Sequence, residues 1–559
     1  MNARRIVECV PNFSEGRDRA VIDSIAKAAA SVQGVAVLDV DPGADTNRTV
    51  YTFAGPPEAV LEAAFRAARA GFELIDMSKH SGAHPRMGAL DVCPFVPVAG
   101  VSMEECAELA RTLGERIGRE LGVPVYLYEA AASRPERKSL ADIRSGEYEA
   151  LEAKLAKPEW VPDFGPAAFM PRFGACVVGA REFLVAYNVD LNTRDRKLAN
   201  EIALSIREGG RAARDADGNI VKDAAGNTVK VPGRLNNVRA IGWYIDGYKR
   251  AQVSINLTDW RATSLHSVYE TVKEEAAKLG LVVTGSEIVG LVPLGPLVEA
   301  GRHYLSRMGK SEGAPESLLV ETAVRSLGLD DVAPFESAKK VVEYAVAEAA
   351  PLAAMTVKDF CDEVSADSPA PGGGSVSALA GSLAAALAAM VANLTVGKKG
   401  YEKGWGELSA MAVKAQALKD ALMRAVDEDT RAFDAVMTAM KLPKATAEQQ
   451  TARNAAIEEA NEAAADVPLA TAEACLEAIG FCADAARLGN KASASDSGVG
   501  ALLARAGCEG AALNVITNLG SIADEAFKAE RRARAEDLVR KAESACKEVL
   551  AVVGAHIGR

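Results

Sequence analysis

The sequence predicts an α+β fold followed by an all-α helical bundle, and three observations support this class. Strand-like and helix-like hydrophobic patterns alternate through roughly the first 330 residues. The order β-α-β-β-α-β occurs twice there, which is typical of ferredoxin-like layers with helices on one face of a sheet. After about residue 350 the sequence becomes rich in Ala and strongly helical, which indicates a bundle.

These patterns divide the chain into four parts. We expect two ferredoxin-like subdomains over residues 1–178 and 179–330, followed by a linker over residues 331–355. The helical domain is expected over residues 356–559.

The first subdomain contains five strand candidates and three helix candidates. The strands are expected at about residues 6–10, 35–41, 49–54, 92–98 and 123–128. The helices are expected at about residues 18–32, after Pro56-Pro57 and at about residues 102–121. Proline suits the first turn of a helix because an N–H there has no intrahelical partner.

The second subdomain begins with a strand candidate over residues 175–189 and a helix at about residues 195–208. Strands at 238–244 and 251–257, a helix at about 263–279 and a strand at 281–289 complete it. An insertion repeats eight residues, from Asp215 to Lys222 and from Asp223 to Lys230. Each copy places Gly-Asn before β-branched residues, which predicts a protruding hairpin.

Charge and cysteine content limit the classes of partner. The net charge of −12 argues against nucleic acid as the main partner, because phosphate binding needs a basic surface. Nine Cys without a CxxC pair, and no apolar signal core at the N-terminus, indicate a reducing, cytoplasmic compartment. The uncharged segment 376–396 could span a bilayer, but its many small residues favour a buried bundle helix, so no membrane contact is expected.

A polar loop from Asp76 to Gly88 carries two of the five His of the chain. A His held in a loop between rigid elements can move protons near neutral pH, which makes His84 a candidate catalytic residue. A solvated surface loop is the alternative. Asp39 and Asp41 end a nearby strand candidate and could orient an imidazole.

The irregular segment Asp163–Gly174 combines aromatic residues, Pro, Gly and Arg172 between the two sheet patterns. It predicts either a ligand site in a cleft or a stiff linker.

Two features of the helical part could also bind or react. Apolar residues recur at 408, 411, 415, 418, 422 and 425, and Asp429 occupies the next position of this stripe. Burying a carboxylate is costly, so Asp429 predicts either a catalytic acid or a structural cap. The run Gly372-Gly373-Gly374-Ser375 precedes a helix, and it indicates an anion site or a plain helix entry. No His, Cys or carboxylate group has zinc spacing, so no metal is expected.

Several long motifs resemble the formimidoyltransferase-cyclodeaminase family, the bifunctional folate enzymes of histidine breakdown. They include Val7-Glu-Cys-Val-Pro-Asn-Phe-Ser-Glu-Gly16, Asp45-Thr-Asn-Arg-Thr-Val-Tyr-Thr-Phe53 and His84-Pro-Arg-Met-Gly-Ala-Leu-Asp91. The helical part contributes Ala370-Pro-Gly-Gly-Gly-Ser-Val376 and Val426-Asp-Glu-Asp-Thr-Arg-Ala-Phe433. The resemblance extends over nearly the whole chain.

The resemblance implies two reactions of one-carbon metabolism. A formimidoyl group moves from N-formimidoyl-L-glutamate to tetrahydrofolate, and 5-formimidoyltetrahydrofolate then cyclises to 5,10-methenyltetrahydrofolate with loss of ammonia. It also implies a homo-oligomer that uses tetrahydrofolate, in some members polyglutamylated, without a metal. A glutamate formyltransferase acting on 5-formyltetrahydrofolate and a non-catalytic folate-binding scaffold are the alternatives.

The resemblance also implies roles for residues of this chain. His84 is the transferase acid or base with Asp41 as its partner, and Asp429 is the cyclodeaminase catalytic residue. The folate-contacting segment consists of Gly165, Pro166, Ala167, Ala168, Phe169, Met170, Pro171, Arg172, Phe173 and Gly174. Candidate contacts for the anionic folate tail are Gly372–Ser375, Lys398, Lys399, Arg453 and Lys491, although surface charge explains the basic residues equally well.

Overall fold

The computed structural model describes residues 5–82, 84–346 and 351–558. The chain divides into two compact units. The mixed unit contains the residues up to Leu297 and the segment that begins at Val324, and the helical unit contains Val298–Ala323 and the C-terminal helices. Part of the predicted linker, 347–350, lies outside the described residues, and the predicted subdomain boundaries stay predictions.

The first sheet of the mixed unit has seven strands: β1 (Ile6–Cys9), β2 (Asn12–Phe13), β3 (Ala36–Gly43), β4 (Arg48–Gly55), β5 (Leu90–Ala99), β6 (Val125–Glu129) and β7 (Cys176–Ala180). Its longer helices are α1 (Arg19–Ala30), α2 (Pro57–Leu74) and α3 (Met103–Glu120), and the short helices α4 (Leu140–Arg144) and α5 (Leu151–Leu155) follow. Pro57 is the first residue of α2, as the sequence predicts.

The first sheet combines a ferredoxin-like core with a parallel extension. Strands β1 and β2 both lie between β4 and β5, and β3 lies outside β4, all in antiparallel pairs. Strand β7 pairs in parallel with β5 and with β6. The predicted single strand over 175–189 is therefore wrong, because its first half completes this sheet and only its second half enters the next one.

The second sheet has the strands β8 (Val185–Leu191), β11 (Val238–Ile245), β12 (Arg250–Leu257) and β13 (Val283–Val289), with the helices α6 (Arg196–Ile206) and α7 (Leu265–Lys278). Its order is β11-β12-β8-β13, and every neighbouring pair is antiparallel. This is the ferredoxin-like arrangement that the sequence predicts.

The eight-residue repeat forms two successive turns rather than the single predicted hairpin. Two short strands, β9 (Arg211–Ala212) and β10 (Lys230–Val231), close its base. Asp215 accepts the N–H groups of Asp217 and Asn219, and Asp223 repeats this pattern eight residues later. Each copy therefore closes its own turn, because an Asp side chain can hydrogen-bond its own backbone two residues on.

After the second sheet the chain is helical. The helices are α8 (Leu294–Arg307), α9 (Glu316–Leu327), α10 (Ser337–Lys340), α11 (Val342–Ala345), α12 (Val357–Val364), α13 (Gly373–Thr395), α14 (Trp405–Met440), α15 (Ala447–Leu488), α16 (Ala494–Leu519) and α17 (Glu525–Ile557). Of these, α10 and α11 belong to the mixed unit, and the unit boundaries fall within α8 and α9. The predicted order of an α+β part followed by an all-α part is confirmed.

Small side chains allow the bundle helices to approach closely. A Cβ added to Gly381 would lie 2.6 Å from the Cys475 sulfur, and one added to Gly507 would lie 2.8 Å from the Ser377 carbonyl oxygen. Among the described helices, Gly373–Thr395 and the segment Lys491–Leu519 are long and apolar enough to cross a membrane by length and composition. Most of the apolar window of the first of them is buried inside the bundle.

Candidate active sites

Asn47 connects the β3–β4 turn to the loop that carries His84. Its side-chain amide donates to the Ser81 carbonyl oxygen at 3.1 Å, and its side-chain oxygen accepts the Gly16 N–H at 3.0 Å. Asn47 is buried and has a φ of 49°, a left-handed conformation that Asn tolerates. Gly82 must remain glycine here, because a Cβ would lie 2.1 Å from the Thr46 carbonyl oxygen. The loop and the start of β4 therefore have a fixed relative position.

His80 has a structural role in this loop. Its Nε2 lies 2.8 Å from the Asn47 carbonyl oxygen, and Arg86 Nε donates to its Nδ1 at 3.3 Å. A carbonyl oxygen can only accept, so Nε2 carries the proton and Nδ1 is the acceptor. With both nitrogens engaged, His80 has no nitrogen left for a substrate.

His84 has one ring nitrogen available for chemistry. Its Nδ1 lies 2.6 Å from the Pro85 carbonyl oxygen and therefore carries the proton. The hydrogen bonds of the described residues leave Nε2 without a partner. Burial lowers the pKa of His84 below its ordinary value of 6.5, and the charges of Arg48 and Arg144 lower it further. Nε2 is consequently an unprotonated base at neutral pH.

Asp91 is a carboxylate whose charge acts on the pKa of His84, and it was not predicted as a site residue from the sequence. It is 1% exposed, accepts the Met87 N–H at 2.9 Å and pairs with Arg144 at 2.5 Å. Its charge raises the pKa of His84. The available signal was an acidic residue near the start of the apolar strand β5, where burial without a partner is costly.

Asp41 is exposed on β3, where it pairs with Val50 across the sheet. The hydrogen bond of His84 goes to Pro85 instead, and the partner role of Asp41 stays a prediction. Asp39 is exposed on the same strand.

The predicted folate segment lies against the His84 loop. The Met77 N–H of the loop donates to the Arg172 oxygen of the segment at 3.0 Å. The residues directly after the loop and the segment continue this contact: the Ala89 N–H donates to the Phe173 oxygen at 2.7 Å, and the Ala175 N–H donates to the Met87 oxygen at 3.1 Å. Gly165 and Gly174 take positive φ values of 77° and 79° at its two ends. Residues 165–168 are exposed, so their backbone is available to a ligand.

An aromatic pair joins Phe169 of the same segment to Tyr148. The rings of Tyr148 and Phe169 lie 5.4 Å apart, and the Tyr148 hydroxyl donates to the Pro171 carbonyl oxygen at 2.6 Å. Arg86 lies over the Tyr148 ring and pairs with Glu149 at 2.6 Å. The adjoining open cleft of about 450 Å³ is lined by His80, Ser81, Gly82, Arg86, Gly146, Glu147 and Glu149. Such a surface can hold a planar, polar ligand through stacking and hydrogen bonds.

In the helical unit, Asp429 of α14 meets the glycine run at the start of α13. The Ser375 N–H donates to Asp429 Oδ2 at 3.1 Å, and the Ser375 hydroxyl lies 3.4 Å from the same oxygen. A Cβ on Gly374 would lie 2.0 Å from Asp429 Oδ1, so only glycine leaves room for the carboxylate. The structure thus brings together two features that the sequence identified separately. The positive end of α13 also stabilises an anion there.

Burial raises the pKa of Asp429 above its ordinary value of 3.8, although the hydrogen bonds from Ser375 lower it.

The expectation that Asp429 is the buried carboxylate of the stripe needs a correction. Asp427 is 3% exposed and accepts the N–H groups of Leu352 and Ala353, whereas Asp429 is only partly buried. Residues distant in the sequence cover the Asp427 side of α14, which helical periodicity does not reveal. Asp427 is structural, and Asp429 has the accessible carboxylate.

The other predicted anion contacts are not brought to Asp429. Arg453 donates to the Met440 carbonyl oxygen, about 16 Å further along α14 at 1.5 Å per residue. Lys398 contacts Asn490 beyond the opposite end of α13. Asn514, by contrast, lies beside Gly373 and was missed. The described residues contain no group of three or more His, Cys, Asp or Glu that could hold a metal ion.

Three family models match successive segments of the chain. The model described as "Formiminotransferase domain, N-terminal subdomain" matches residues 6–181, and the model described as "Formiminotransferase domain" matches residues 186–347. The model described as "Formiminotransferase-cyclodeaminase" matches residues 356–537.

Similar proteins match either part or the whole chain. Glutamate formimidoyltransferase of Streptococcus pyogenes serotype M1 is 42% identical over 301 residues, covering 54% of this chain and 93% of that protein. Methenyltetrahydrofolate cyclohydrolase of Methylorubrum extorquens is 42% identical over 187 residues, covering 34% of this chain and 90% of that protein. Formimidoyltransferase-cyclodeaminase of Sus scrofa is 46% identical over 550 residues, covering 98% of each chain. This full-length match confirms the resemblance seen in the motifs, and the chain belongs to the formimidoyltransferase-cyclodeaminase family.

Proposed function

We propose that the chain is a bifunctional folate enzyme. The mixed unit transfers a formimidoyl group from N-formimidoyl-L-glutamate to tetrahydrofolate. The helical unit then converts 5-formimidoyltetrahydrofolate to 5,10-methenyltetrahydrofolate and ammonia. The observation that carries the proposal is the state of His84. Its Nδ1 donates to Pro85, its Nε2 has no partner among the described residues, and its loop is hydrogen-bonded through Met77 to Arg172 of the segment 165–174.

In the transfer step, N5 of tetrahydrofolate attacks the formimidoyl carbon and His84 Nε2 accepts the N5 proton. The carbon–nitrogen bond to glutamate then breaks, and the same imidazolium returns its proton to the departing nitrogen. Formimidoyl is thereby exchanged between two nitrogens with no net gain or loss of protons. A His whose pKa is lowered by burial is unprotonated at neutral pH, so it can accept the N5 proton before it returns a proton to the departing nitrogen.

In the cyclisation step, N10 attacks the formimidoyl carbon, and the proton of N10 must reach the nitrogen that leaves as ammonia. Asp429 provides the route, because its carboxylate accepts one proton and releases another. Burial favours its protonated form, while the N–H of Ser375 holds its ionised form in place. The carboxylate also favours the cationic amidine before ammonia leaves.

A two-variant assay tests both assignments. Methenyltetrahydrofolate formation is followed by its absorbance, first from N-formimidoylglutamate and tetrahydrofolate and then from supplied 5-formimidoyltetrahydrofolate. His84→Ala should abolish transfer and spare cyclisation, and Asp429→Asn should do the reverse. Asp434→Asn provides a matched control, since Asp434 is exposed on the same helix as Asp429.

Two results would contradict the proposal. The two-site assignment fails if each variant stops both reactions in protein that keeps its unfolding temperature. The substrate assignment fails if the wild-type chain consumes 5-formyltetrahydrofolate and glutamate instead, or consumes neither donor. A decay of methenyl absorbance after its formation would indicate that the helical unit hydrolyses the product further.

We also propose a homo-oligomeric, cytoplasmic enzyme that uses polyglutamylated tetrahydrofolate without a metal, binds no nucleic acid and does not enter a membrane. Eight of the nine free cysteines are buried and Cys361 is exposed, which suits a reducing compartment. Leu383 and Leu394 of α13 and Leu502 and Leu513 of α16 are exposed apolar residues, which favours burial in an oligomer. Light scattering of Leu383→Glu, expected to give a smaller particle than wild type, tests the oligomer.

A further inference from the structure

Arg48 begins β4 directly after Asn47, the residue that connects this turn to the His84 loop. The hydrogen bond from Asn47 to Ser81 therefore holds the start of β4 to the loop that carries His84. The charge of Arg48 lowers the pKa of His84 more than any other single charge does. The guanidinium of Arg48 thus lies at the transferase site.

This guanidinium has no partner in the part of the chain that the structure describes. None of the hydrogen bonds or ion pairs of the described residues involves it, and its Nε is buried without an acceptor. Burial lowers the pKa of Arg48, and the charges of Asp91 and Asp41 only partly offset this effect. Asp91, the buried carboxylate of the site, already pairs with Arg144. Of the two arginines whose charges act on His84, Arg48 is consequently the one that no described ion pair engages.

A partly buried guanidinium without an acceptor is unfavourable in the free protein and favours binding of an anion. We propose that Arg48 binds a carboxylate of a glutamyl group next to His84. This inference rests on the proposed transferase function and assigns part of its substrate site. Two glutamyl groups enter that reaction, one in the formimidoyl donor and one in the tail of the folate.

The chemistry of the donor favours its α-carboxylate. In N-formimidoylglutamate this carboxylate is attached to the same carbon as the nitrogen that leaves. A group that holds the α-carboxylate beside His84 therefore places the leaving nitrogen within reach of the proton on Nε2. The glutamyl tail of folate lies at the far end of the molecule from the reacting N5, so it cannot be close to His84 while N5 is. Arg48 is thus a binding residue that orients the donor.

The test compares Arg48→Met and Arg48→Lys with wild type in the transfer assay. Arg48→Met should lower kcat/KM for the donor about 10- to 100-fold, as expected for the loss of a charge-assisted hydrogen bond. Arg48→Lys, which keeps the charge but not the bidentate geometry, should recover part of this loss. The KM for tetrahydrofolate should not change.

Truncated substrates identify the carboxylate. N-formimidoylglycine keeps only the α-carboxylate, and 4-(formimidoylamino)butyrate keeps only the carboxylate of the side chain. Arg48→Met should reduce the turnover of N-formimidoylglycine. It should not change the turnover of 4-(formimidoylamino)butyrate, which is already a poor substrate of wild type. Tetrahydropteroate, which lacks the glutamyl tail, gives the corresponding comparison for the folate.

Three controls separate this inference from the transferase assignment. Cyclisation of supplied 5-formimidoyltetrahydrofolate by Arg48→Met should equal that of wild type, because that reaction belongs to the helical unit. Arg17→Met should behave as wild type. Arg17 is exposed and contacts the β3–β4 turn, where it donates to the Ala44 carbonyl oxygen. The acid limb of the transfer pH profile should move to higher pH in Arg48→Met, because a charge that lowers the pKa of His84 is removed.

The inference is overturned if wild type transfers the formimidoyl group and Arg48→Met leaves both kcat/KM for the donor and the KM for tetrahydrofolate unchanged. A rise in the KM for tetrahydrofolate that disappears with tetrahydropteroate, with the donor unaffected, overturns the choice of the donor and assigns Arg48 to the folate tail. If wild type itself shows no transfer, the proposed function fails before Arg48 is tested.

Discussion

The backbone N–H of Ser375 donates to the Asp429 carboxylate at 3.1 Å, so the first turn of α13 directly contacts the candidate acid of α14. The geometry has two consequences. The helix terminus stabilises the ionised carboxylate, whereas burial favours the protonated one. The net effect is a pKa of Asp429 above its ordinary value of 3.8.

Gly374→Ala should abolish cyclisation and spare transfer. The new Cβ would lie 2.0 Å from Asp429 Oδ1, so the carboxylate must rotate away from Ser375. We expect at least a 100-fold loss of cyclisation rate, on the order of 3 kcal/mol of transition-state stabilisation. Gly480→Ala is the matched control, because a Cβ at Gly480 meets no atom within 4 Å in α15. Equal cyclisation by both variants would show that the position of Asp429 does not matter.

Asp429→Asn should stabilise the fold at neutral pH. The pKa of Asp429 is raised above 3.8 in the folded chain. A carboxyl with a raised pKa favours folding below its unfolded pKa, and this contribution is lost as pH rises through the folded value. The unfolding temperature of Asp429→Asn should therefore exceed that of wild type at pH 7, and the two should converge below pH 4. A lower unfolding temperature at pH 7 would indicate that the carboxylate is a structural cap.

Glu8 should cause a loss of stability as pH rises. It is 4% exposed on β1, and burial raises its pKa from 4.5 to about 7, partly offset by Arg181. Its contribution to folding is complete below pH 4.5 and decreases as pH rises through about 7. At pH 8 the cost is roughly 3 kcal/mol at 1.36 kcal/mol per pKa unit. Urea unfolding should show that the free energy of unfolding decreases between pH 5 and pH 8 in wild type and that Glu8→Gln removes this decrease. An unchanged pH dependence in Glu8→Gln would contradict a raised pKa of Glu8.

The pH profile of transfer should report His84. Because burial and two arginines lower its pKa, kcat/KM should fall only below pH 6.5, as Nε2 becomes protonated. Asp91→Asn should move this acid limb to lower pH, since Asp91 favours the imidazolium. Initial rates between pH 4.5 and pH 8 measure the acid limb in wild type and in Asp91→Asn. A midpoint above 6.5 in wild type would mean that another group is the base.

The fold class and the two site regions were accessible from the sequence for identifiable reasons. Period-two and period-3.6 patterns are local, and they predicted β4, β5, α3 and the long helices of the bundle. His84 and Asp429 were recognisable because a polar loop and a carboxylate in an apolar stripe both depart from those local patterns. The break between β7 and β8 was missed, because the pairing of β7 with β5 and β6 depends on residues about 85 and 50 positions earlier in the chain.

What the sequence alone determined was the chemistry available: an imidazole in a loop, a carboxylate on a helix and a glycine run that can bind an anion. Only the tertiary structure decided how these groups are paired. Asp427 pairs with the backbone of Leu352 and Ala353, Asp429 with Ser375, and Asp91 with Arg144. Arg48 Nε has no acceptor among the described residues. Proton affinity and ligand choice depend on such pairings, because charge interactions act through space between residues that are remote in the chain.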